Sequence, residues 1–206
     1  DVDGAPIVRI ERFSMDAELA PFLSGEARIF DMRIEKPVAR IRLLADGRLD
    51  WLRGATPSVP AKTVVLEKVT ISEGSIEFID EQSGRVRHVT GLDAAMSAHS
   101  LAGPWRVEGR AAIDGSKGRF NLSTSEMDER AGGLGLHARI VPDAHPVEID
   151  LDGRLAVEAA RPVYKGNFSA ALTGEEDRAK KPQPRVKGVF ELTNERVRVP
   201  EYRLEI

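Results

Sequence analysis

Val147-Glu-Ile-Asp-Leu-Asp-Gly-Arg-Leu-Ala-Val-Glu-Ala159 is the most regular segment of the sequence. Its odd positions are apolar or glycine, and its even positions are charged apart from Ala156. Because side chains alternate between the two faces of a strand, this period of two predicts a β-strand with one apolar and one charged face. At about 3.3 Å per residue, a single strand of this length would run roughly 40 Å.

A hairpin within this segment is the alternative to one long strand. A two-residue turn at Asp152-Gly153 would pair Leu151 with Arg154. Apolar and charged side chains would then share a face, so the phase of the pattern argues against that turn. A loop with an odd number of residues would keep the apolar residues of both arms on one face, so the pattern allows it. We predict one long strand.

The composition favours a sheet that is wet on one face. The chain has 206 residues, enough for one large β domain or two small ones, and 31% of them are charged while 5% are aromatic. This balance is more typical of an antiparallel sheet with one solvated face than of a thick two-sheet sandwich. The formal net charge of -3 gives no attraction to nucleic acid, and the absence of cysteine excludes disulfides and thiol chemistry.

The sequence contains no segment that approaches the roughly 20 apolar residues of a membrane helix, and no signal peptide. The chain starts at Asp1 with a predicted strand soon after. We therefore expect it to be a piece of a longer protein.

The N-terminal region is predicted to contain a strand at 7–13 and then the one helix of the chain. The helix is predicted from a stripe of four apolar residues at i, i+4, i+7 and i+8: Met15, Leu19, Phe22 and Leu23. Gly25 would end it, whereas Pro21 is awkward because proline lacks an N–H group and clashes with the preceding turn. We expect this helix to cap one end of the sheet and to cover apolar side chains there.

The rest of the sequence alternates in short segments separated by turn residues. This pattern predicts roughly twelve to fourteen strands in an antiparallel meander, with turns at dipeptides such as Asp114-Gly115. Besides the two strands already described, the predicted strands are 28–35, 39–45, 64–71, 75–79, 86–98, 105–113, 120–122, 134–140, 164–172, 186–192 and 197–206.

The predicted fold is mainly β: a long, twisted, mostly antiparallel sheet that curls into an open groove, or half-pipe, with the short N-terminal helix at one end. Five glycines at strand positions fit a sheet that bends along its length: Gly109, Gly118, Gly153, Gly166 and Gly188. We expect one domain at 1–206. A division within it is possible into a helix-capped unit at 1–53, a main sheet at 62–173 and last strands at 186–206, with loops at 54–61 and 174–185.

The aliphatic side of such a sheet must be hidden from water. A second layer, another domain or a cargo held in a trough would each achieve this, and composition alone does not choose among them. If the face is a trough, twenty residues are candidates to line it: Phe30, Met32, Ile34, Ile76, Phe78, Met96, Val107, Ile113, Phe120, Leu122, Leu136, Ile140, Ile149, Leu151, Leu155, Val157, Phe168, Leu172, Phe190 and Leu192.

Catalytic and metal sites have no support in the sequence. The four histidines lack the close spacing of metal ligands: His88, His99, His137 and His145. We expect them at the surface, the first three within strands and the last in a loop. Neighbouring acids such as Glu148 and Asp150 would face the same way, as a glycosidase pair does, but their alternation with apolar residues fits a solvated face better. We predict no catalytic residue, no metal and no cofactor.

Three segments of the first quarter of the chain resemble the AsmA-like family of Gram-negative envelope proteins. The segment 20–29, Ala-Pro-Phe-Leu-Ser-Gly-Glu-Ala-Arg-Ile, is similar to that family's short helix, its Leu-Ser-Gly stop and its outgoing strand. The segments 34–37, Ile-Glu-Lys-Pro, and 45–51, Ala-Asp-Gly-Arg-Leu-Asp-Trp, are similar to its strand ending in proline and its Asp-Gly turn. The family's Asn-Trp after that turn is Asp50-Trp51 here.

The resemblance continues in weaker form along the chain. The segment 66–78 is similar to the family's next pair of strands, which flank a glycine, here Gly74. The region 104–172 is similar only in its rhythm of strands and turns. The specific similarity is therefore confined to about 20–78.

The resemblance implies a periplasmic protein tethered to the inner membrane by one N-terminal helix that lies outside this sequence. It also implies a twisted β groove related to the bridge-like lipid transfer proteins, in which an apolar trough carries phospholipid acyl chains between the inner and outer membranes. Since exposing an acyl chain to water costs about 0.8 kcal/mol per CH₂, such a trough lowers the barrier to transfer. The family supplies no catalytic residue, and a chain of 206 residues would be one end of the groove.

The sequence thus predicts a lipid-handling module that is not an enzyme. Its expected partners are a phospholipid or another acyl-chain ligand, the inner membrane and other envelope proteins, and nucleic acid is not among them. A structural or partner-binding β module in the assembly of outer-membrane proteins is the first alternative. A carbohydrate-active β protein is the second.

Overall fold

The computed structural model describes residues 7–18, 27–46, 64–127, 133–158, 161–173, 184–193 and 195–205. These residues form thirteen β-strands joined in one sheet. The strands are β1 (Val8–Arg9), β2 (Arg12–Glu18), β3 (Ala27–Glu35), β4 (Val38–Leu43), β5 (Val64–Asp80), β6 (Arg85–Ala98), β7 (Trp105–Ile113), β8 (Ser116–Thr124), β9 (Gly133–Pro142), β10 (Val147–Glu158), β11 (Arg161–Leu172), β12 (Arg185–Thr193) and β13 (Val197–Glu205). Over these residues the predicted all-β, mostly antiparallel sheet is confirmed.

The long strand predicted from the alternation is also confirmed. β10 runs without a break over twelve residues and pairs antiparallel with β9 on one side and β11 on the other. Leu151, near its middle, lies between Ala138 and Phe168. Apolar positions of β10 thus meet apolar positions of both neighbours, which fixes the register because a shift of one residue would reverse every face.

From β5 to β13 the sheet is a meander in which each strand pairs antiparallel with the next. The turn between β7 and β8 consists of Asp114 and Gly115, which have positive φ angles of 48° and 86°. A two-residue turn of this type matches the twist of a hairpin and favours the Asp-Gly dipeptide. The turn predicted at this dipeptide is confirmed.

The first four strands lie at one edge of the sheet in two rows, and each row consists of two short strands placed end to end. β1 pairs with β4 and β2 with β3, while β3 and β4 lie end to end along β5 and are both parallel to it. Pro37, which has no N–H group, separates β3 from β4, and its carbonyl oxygen accepts a 2.8 Å hydrogen bond from the N–H of Ser75. The predicted meander is wrong here, because alternation along a strand does not reveal the crossover that a parallel pair needs. The strand predicted at 7–13 is likewise divided, between Arg9 and Arg12.

The predicted N-terminal helix is wrong at its first residue. Met15 lies in the middle of β2, opposite Met32 of β3. The sequence of β2, Arg-Phe-Ser-Met-Asp-Ala-Glu, alternates with a period of two, and this local pattern outweighs the longer helical spacing that begins at Met15. The other three helix residues, Leu19, Phe22 and Leu23, lie outside the described residues. Within the described part, no helix is long and apolar enough to cross a membrane.

β5 is a single strand of 17 residues where two strands were predicted, at 64–71 and 75–79. The register with β6 shifts near Gly74, and Glu73 has a φ of 52°. A bulge of this kind inserts a residue into one strand without ending it. The N–H of Glu73 donates to the carboxylate of Asp93 on β6 at 2.9 Å, so the bulge keeps a hydrogen bond.

The sheet is not closed. Its edge strands, β13 on one side and β1 and β2 on the other, do not pair with each other. The described residues contain a small cluster of buried hydrophobic side chains, which consists of Leu66, Val69 and Ala98. Because the buried cluster is small, many apolar side chains of this sheet stay exposed to solvent.

Candidate functional site

The two faces of the sheet differ sharply in polarity. We call the side that carries Leu151 the apolar face and the side that carries Asp150 the polar face. Directly paired residues of neighbouring strands share a face, so the register follows each face from strand to strand. One row of pairs crosses eleven strands on the apolar face: Met15, Met32, Val69, Met96, Val107, Leu122, Ala138, Leu151, Phe168, Gly188 and Tyr202. This apolar row contains no charged residue and, at about 4.8 Å per strand, is roughly 48 Å long.

The neighbouring row on the opposite side has the reverse character. One residue along each strand, the pairs join eleven residues of the polar face: Ser14, Arg33, Thr70, Ala95, Glu108, Asn121, Arg139, Asp150, Ser169, Lys187 and Arg203. All but Ala95 are polar or charged. The sheet therefore has one polar side and one apolar side.

The register brings nineteen of the twenty candidate groove residues onto the apolar face. They are Met32, Ile34, Ile76, Phe78, Met96, Val107, Ile113, Phe120, Leu122, Leu136, Ile140, Ile149, Leu151, Leu155, Val157, Phe168, Leu172, Phe190 and Leu192. Phe30 is the exception. The pairing of β2 with β3 steps from Asp31 to Ile29, so Phe30 is the extra residue of a bulge and belongs to no cross-strand pair there.

Much of the apolar face is accessible to solvent. Ile113, Val157 and Leu172 are each more than half exposed, at 56%, 65% and 55%. Tyr164 and Phe190 are buried, with exposures of 5% and 4%, and their rings meet edge to face with centroids 4.8 Å apart. The face thus has a closed part around these two rings and open parts on either side.

The sheet curls over its apolar face. The guanidinium of Arg85, at the start of β6, donates to the carbonyl oxygen of Glu195 between β12 and β13 at 2.8 Å. These elements are six strands apart in the order of the sheet, so a flat sheet would hold them roughly 29 Å apart. The contact shows that the two sides of the sheet approach each other there.

A cavity of about 620 Å³ lies where the two sides meet, and we call it the end cavity. Its lining comes from both sides of the curl: Phe78, Arg85, Arg87 and Ile113 from β5 to β7, and Leu155, Pro162, Tyr164, Leu192, Thr193, Glu195, Arg196 and Val197 from β10 to β13. Four of the candidate groove residues, Phe78, Ile113, Leu155 and Leu192, therefore share one cavity. Asp114 lies beside it, and a hydrogen bond from the N–H of His88, together with the ion pair to Arg87 at 2.6 Å, lowers the pKa of its carboxyl.

Glycines permit the close approach of strands on the apolar face. Gly153 of β10 and Gly166 of β11 lie directly opposite each other. A Cβ added to Gly153 would overlap the carbonyl oxygen of Lys165, and one added to Gly166 would overlap that of Asp152. Phe190 lies opposite Gly166 on its other side, so an aromatic side chain stands beside the gap that the glycine leaves. Both glycines were predicted to allow bending, and their surroundings explain why a side chain is excluded.

Tyr164 has a hydroxyl group that is held inside the curl. It donates to the carbonyl oxygen of Leu136 at 2.8 Å, reaching across β10 to β9. Burial, helped by the negative charge of Asp152, raises the pKa of Tyr164 to about 12. The phenol is therefore neutral at any physiological pH.

In a Tyr202→Phe variant, which keeps Tyr164 as the single tyrosine, we expect the ultraviolet absorbance of tyrosinate to rise with a midpoint near pH 12. Since the folded pKa lies above the unfolded value of about 10, the stabilisation is complete below pH 10 and is lost as the pH rises toward 12. A spectrophotometric titration of the folded variant measures this midpoint. A midpoint near 10 would show that Tyr164 is solvated and that the curl is open at this position.

The polar face is held by ion pairs between neighbouring strands. Arg139 donates to Asp150 at 3.0 Å and lies 3.7 Å from Glu148, and the hydrogen bond to Asp150 contributes most to the raised pKa of the arginine. The two acids that could have formed a glycosidase pair thus share one cationic partner. Asp93 accepts from Glu73 and from Arg110, and the backbone hydrogen bond contributes most to the lowered pKa of its carboxyl.

The histidines do not cluster. His88 and His137 lie in β6 and β9, as predicted, and His145 lies in the turn before β10. His99 was predicted within a strand, which is wrong: β6 ends at Ala98, before the bend at 99–100. Over the described ranges, no group of three histidines or acids is close enough to hold a metal ion.

Some residues of the apolar face were missed in the sequence. Tyr164 has the same parity as Phe168 on β11, so the alternation contained the signal that places it there. Arg85 and Arg87 also lie on this face, paired with Asp80 and Phe78 of β5. Alternation alone suggests that charged residues lie on the polar face, so only the cross-strand register places Arg85 and Arg87 on the apolar face.

No protein-family model, curated protein or solved structure matches this chain.

Proposed function

We propose that this chain is a lipid-handling module whose apolar face binds the acyl chains of phospholipids. The apolar row is the observation that carries the proposal, because it offers an uncharged track across eleven strands of a sheet that is not closed. Each CH₂ group moved from water onto such a surface gains about 0.8 kcal/mol. Two acyl chains end to end span the roughly 30 Å core of a bilayer, so the row is about three chains long.

The resemblance of 20–78 to the AsmA-like family supports the setting of this function. We propose that the chain works in the periplasm, as part of a protein anchored in the inner membrane, and that it passes phospholipid toward the outer membrane. A task of this kind needs a continuous apolar surface and no catalytic group. The charged polar face would keep the module in solution while the other face holds cargo.

Uptake of lipid from vesicles tests the proposal. The protein, purified without detergent, is mixed with vesicles that contain a fluorescent phospholipid labelled on its acyl chain, and the two are then separated by flotation. We expect labelled phospholipid in the protein fraction, and mass spectrometry of an untreated sample is expected to detect co-purified phospholipid. Folded protein that carries no lipid and takes up none would contradict the proposal.

A structural or partner-binding role is favoured by one further observation, the edge strand β13. Among the described strands it pairs only with β12, and its Val197, Tyr202 and Leu204 are exposed by 65%, 75% and 58%. An edge with unpaired backbone groups and exposed apolar side chains can add a strand from another protein. A lipid-free protein that binds an envelope protein through β13 would favour this role over lipid handling.

A further inference from the structure

The end cavity has an apolar interior and a cationic mouth. Among the described lining residues, three are arginines, Arg85, Arg87 and Arg196, and one, Glu195, is acidic. All three arginines are exposed to solvent, so their charged groups lie at the mouth of the end cavity and not in its apolar interior. The apolar face alone does not explain why three arginines lie at the mouth of this cavity.

Part of this positive charge is balanced by acids nearby. Arg87 forms a 2.6 Å ion pair with Asp114 at the mouth. Glu195 forms a 3.1 Å ion pair with Arg161 while its carbonyl oxygen accepts from Arg85. The hydrogen bond of Arg85 with Glu195 joins the two sides of the curl, whereas each of the two ion pairs lies within one side.

Among the arginines that line the end cavity, Arg196 is the one whose charge is not balanced by an acid among the described residues. Arg85 lies opposite the buried Asp80 in the register of β5 with β6, so its charge also has an acid close by. Arg196 is exposed, and none of the residues that the structure describes forms an ion pair with its side chain. An exposed arginine at the mouth of an apolar cavity is suited to an anion that is attached to an apolar chain.

We propose that the end cavity is a head-group site, in which Arg196 binds the phosphate of an amphiphile while the alkyl chain occupies the apolar interior. This inference rests on the proposed lipid-handling function and specifies the chemistry of its ligand. A guanidinium binds phosphate through two parallel N–H···O bonds, a geometry that an ammonium group lacks. Phe78, Leu155 and Leu192 supply apolar surface for the first carbons of the chain.

The test compares two amphiphiles with the same alkyl chain, dodecyl phosphate and the uncharged dodecyl glycerol ether. Isothermal titration below the concentration at which either forms micelles gives their dissociation constants. We expect wild-type protein to bind dodecyl phosphate about tenfold more tightly than the ether. Arg196→Gln is expected to remove this preference, so that the ratio of the two dissociation constants falls to about one, whereas Arg196→Lys is expected to keep part of it.

Arg119→Gln is the matched control. Arg119 lies on the polar face of β8, one residue from Phe120, so its loss changes the net charge by the same amount without touching the end cavity. The preference for phosphate should persist in this variant. If Arg119→Gln reduced the preference as much as Arg196→Gln does, the effect would be one of net charge and the head-group site would be refuted.

Three other outcomes are decisive. Equal affinity of wild-type protein for the two amphiphiles would refute the head-group site and leave the proposed function standing. Absence of binding by either amphiphile would contradict the proposed function itself. Displacement of dodecyl phosphate by inorganic phosphate at a similar concentration would indicate a site for free phosphate, which would refute the role given to the alkyl chain.

Discussion

Gly153→Ala is expected to destabilise the folded protein by about 3 kcal/mol, the upper end of the usual cost of overpacking. The added Cβ would overlap the carbonyl oxygen of Lys165 and would lie 2.9 Å from the Cα of Gly166. Both atoms belong to the backbone of β11 and cannot move aside by changing a rotamer, so the two central strands must separate. The free energy of unfolding, measured by urea denaturation, tests this expectation.

Gly135→Ala serves as the control for this substitution. A Cβ at Gly135 would make only ordinary contact with the side chain of Ser125, with its closest atom 3.4 Å away. The stability of this variant should stay within about 0.5 kcal/mol of the wild type, as is usual for substitutions away from tight packing. If the two variants were equally stable, β10 and β11 would not approach as closely as described, and the glycines would not explain the curvature.

Leu122→Asp is expected to weaken the binding of phospholipid roughly thirtyfold and so to lower the amount of lipid that the protein carries. Leu122 lies in the apolar row between Val107 and Ala138. Replacing it removes about 2 kcal/mol of apolar contact with an acyl chain, which corresponds to that factor, and the new carboxylate must also lose water. Quantitative mass spectrometry of phospholipid extracted from equal amounts of protein measures the loss.

Ser123→Asp provides the matched control, because Ser123 follows Leu122 on β8 but lies on the polar face between Arg106 and His137. It introduces the same charge on the same strand, and its lipid content should equal that of the wild type. Circular dichroism must show both variants folded, and Leu122→Ser replaces Leu122→Asp if the latter unfolds. Equal lipid content in folded Leu122→Asp and Ser123→Asp would argue against binding on the apolar face.

The faces of the sheet could be predicted from the sequence with good accuracy, because they depend on a local property. Alternation needs only the neighbouring residues of one strand, and a sheet with one wet face must keep the same parity from strand to strand. Alternation does not reveal the bulge at Phe30, which leaves this residue outside the cross-strand pairs of β2 with β3. A bulge depends on backbone geometry such as the positive φ of Glu73 in β5, and hydrophobic pattern does not encode it.

The non-local features could not be predicted in this way. Met15 was assigned to a helix because three later apolar residues fitted a helical stripe, whereas its own neighbours alternate as a strand. The parallel pairing of β3 and β4 with β5 depends on how the chain crosses between distant segments. The end cavity requires the sheet to curl until Arg85 meets Glu195, and no local pattern reports the curvature of a sheet.

Photo-crosslinking from the two faces of single strands measures which face of the sheet contacts phospholipid. A photoreactive benzophenone side chain is placed at Leu122 or Leu151 on the apolar face and, in matched variants, at Ser123 or Asp150 on the polar face, and each variant is irradiated with phospholipid vesicles. We expect phospholipid adducts from Leu122 and Leu151, with little or none from Ser123 and Asp150. Equal adducts from both faces, or none from the apolar face of folded protein, would contradict lipid binding on the apolar face.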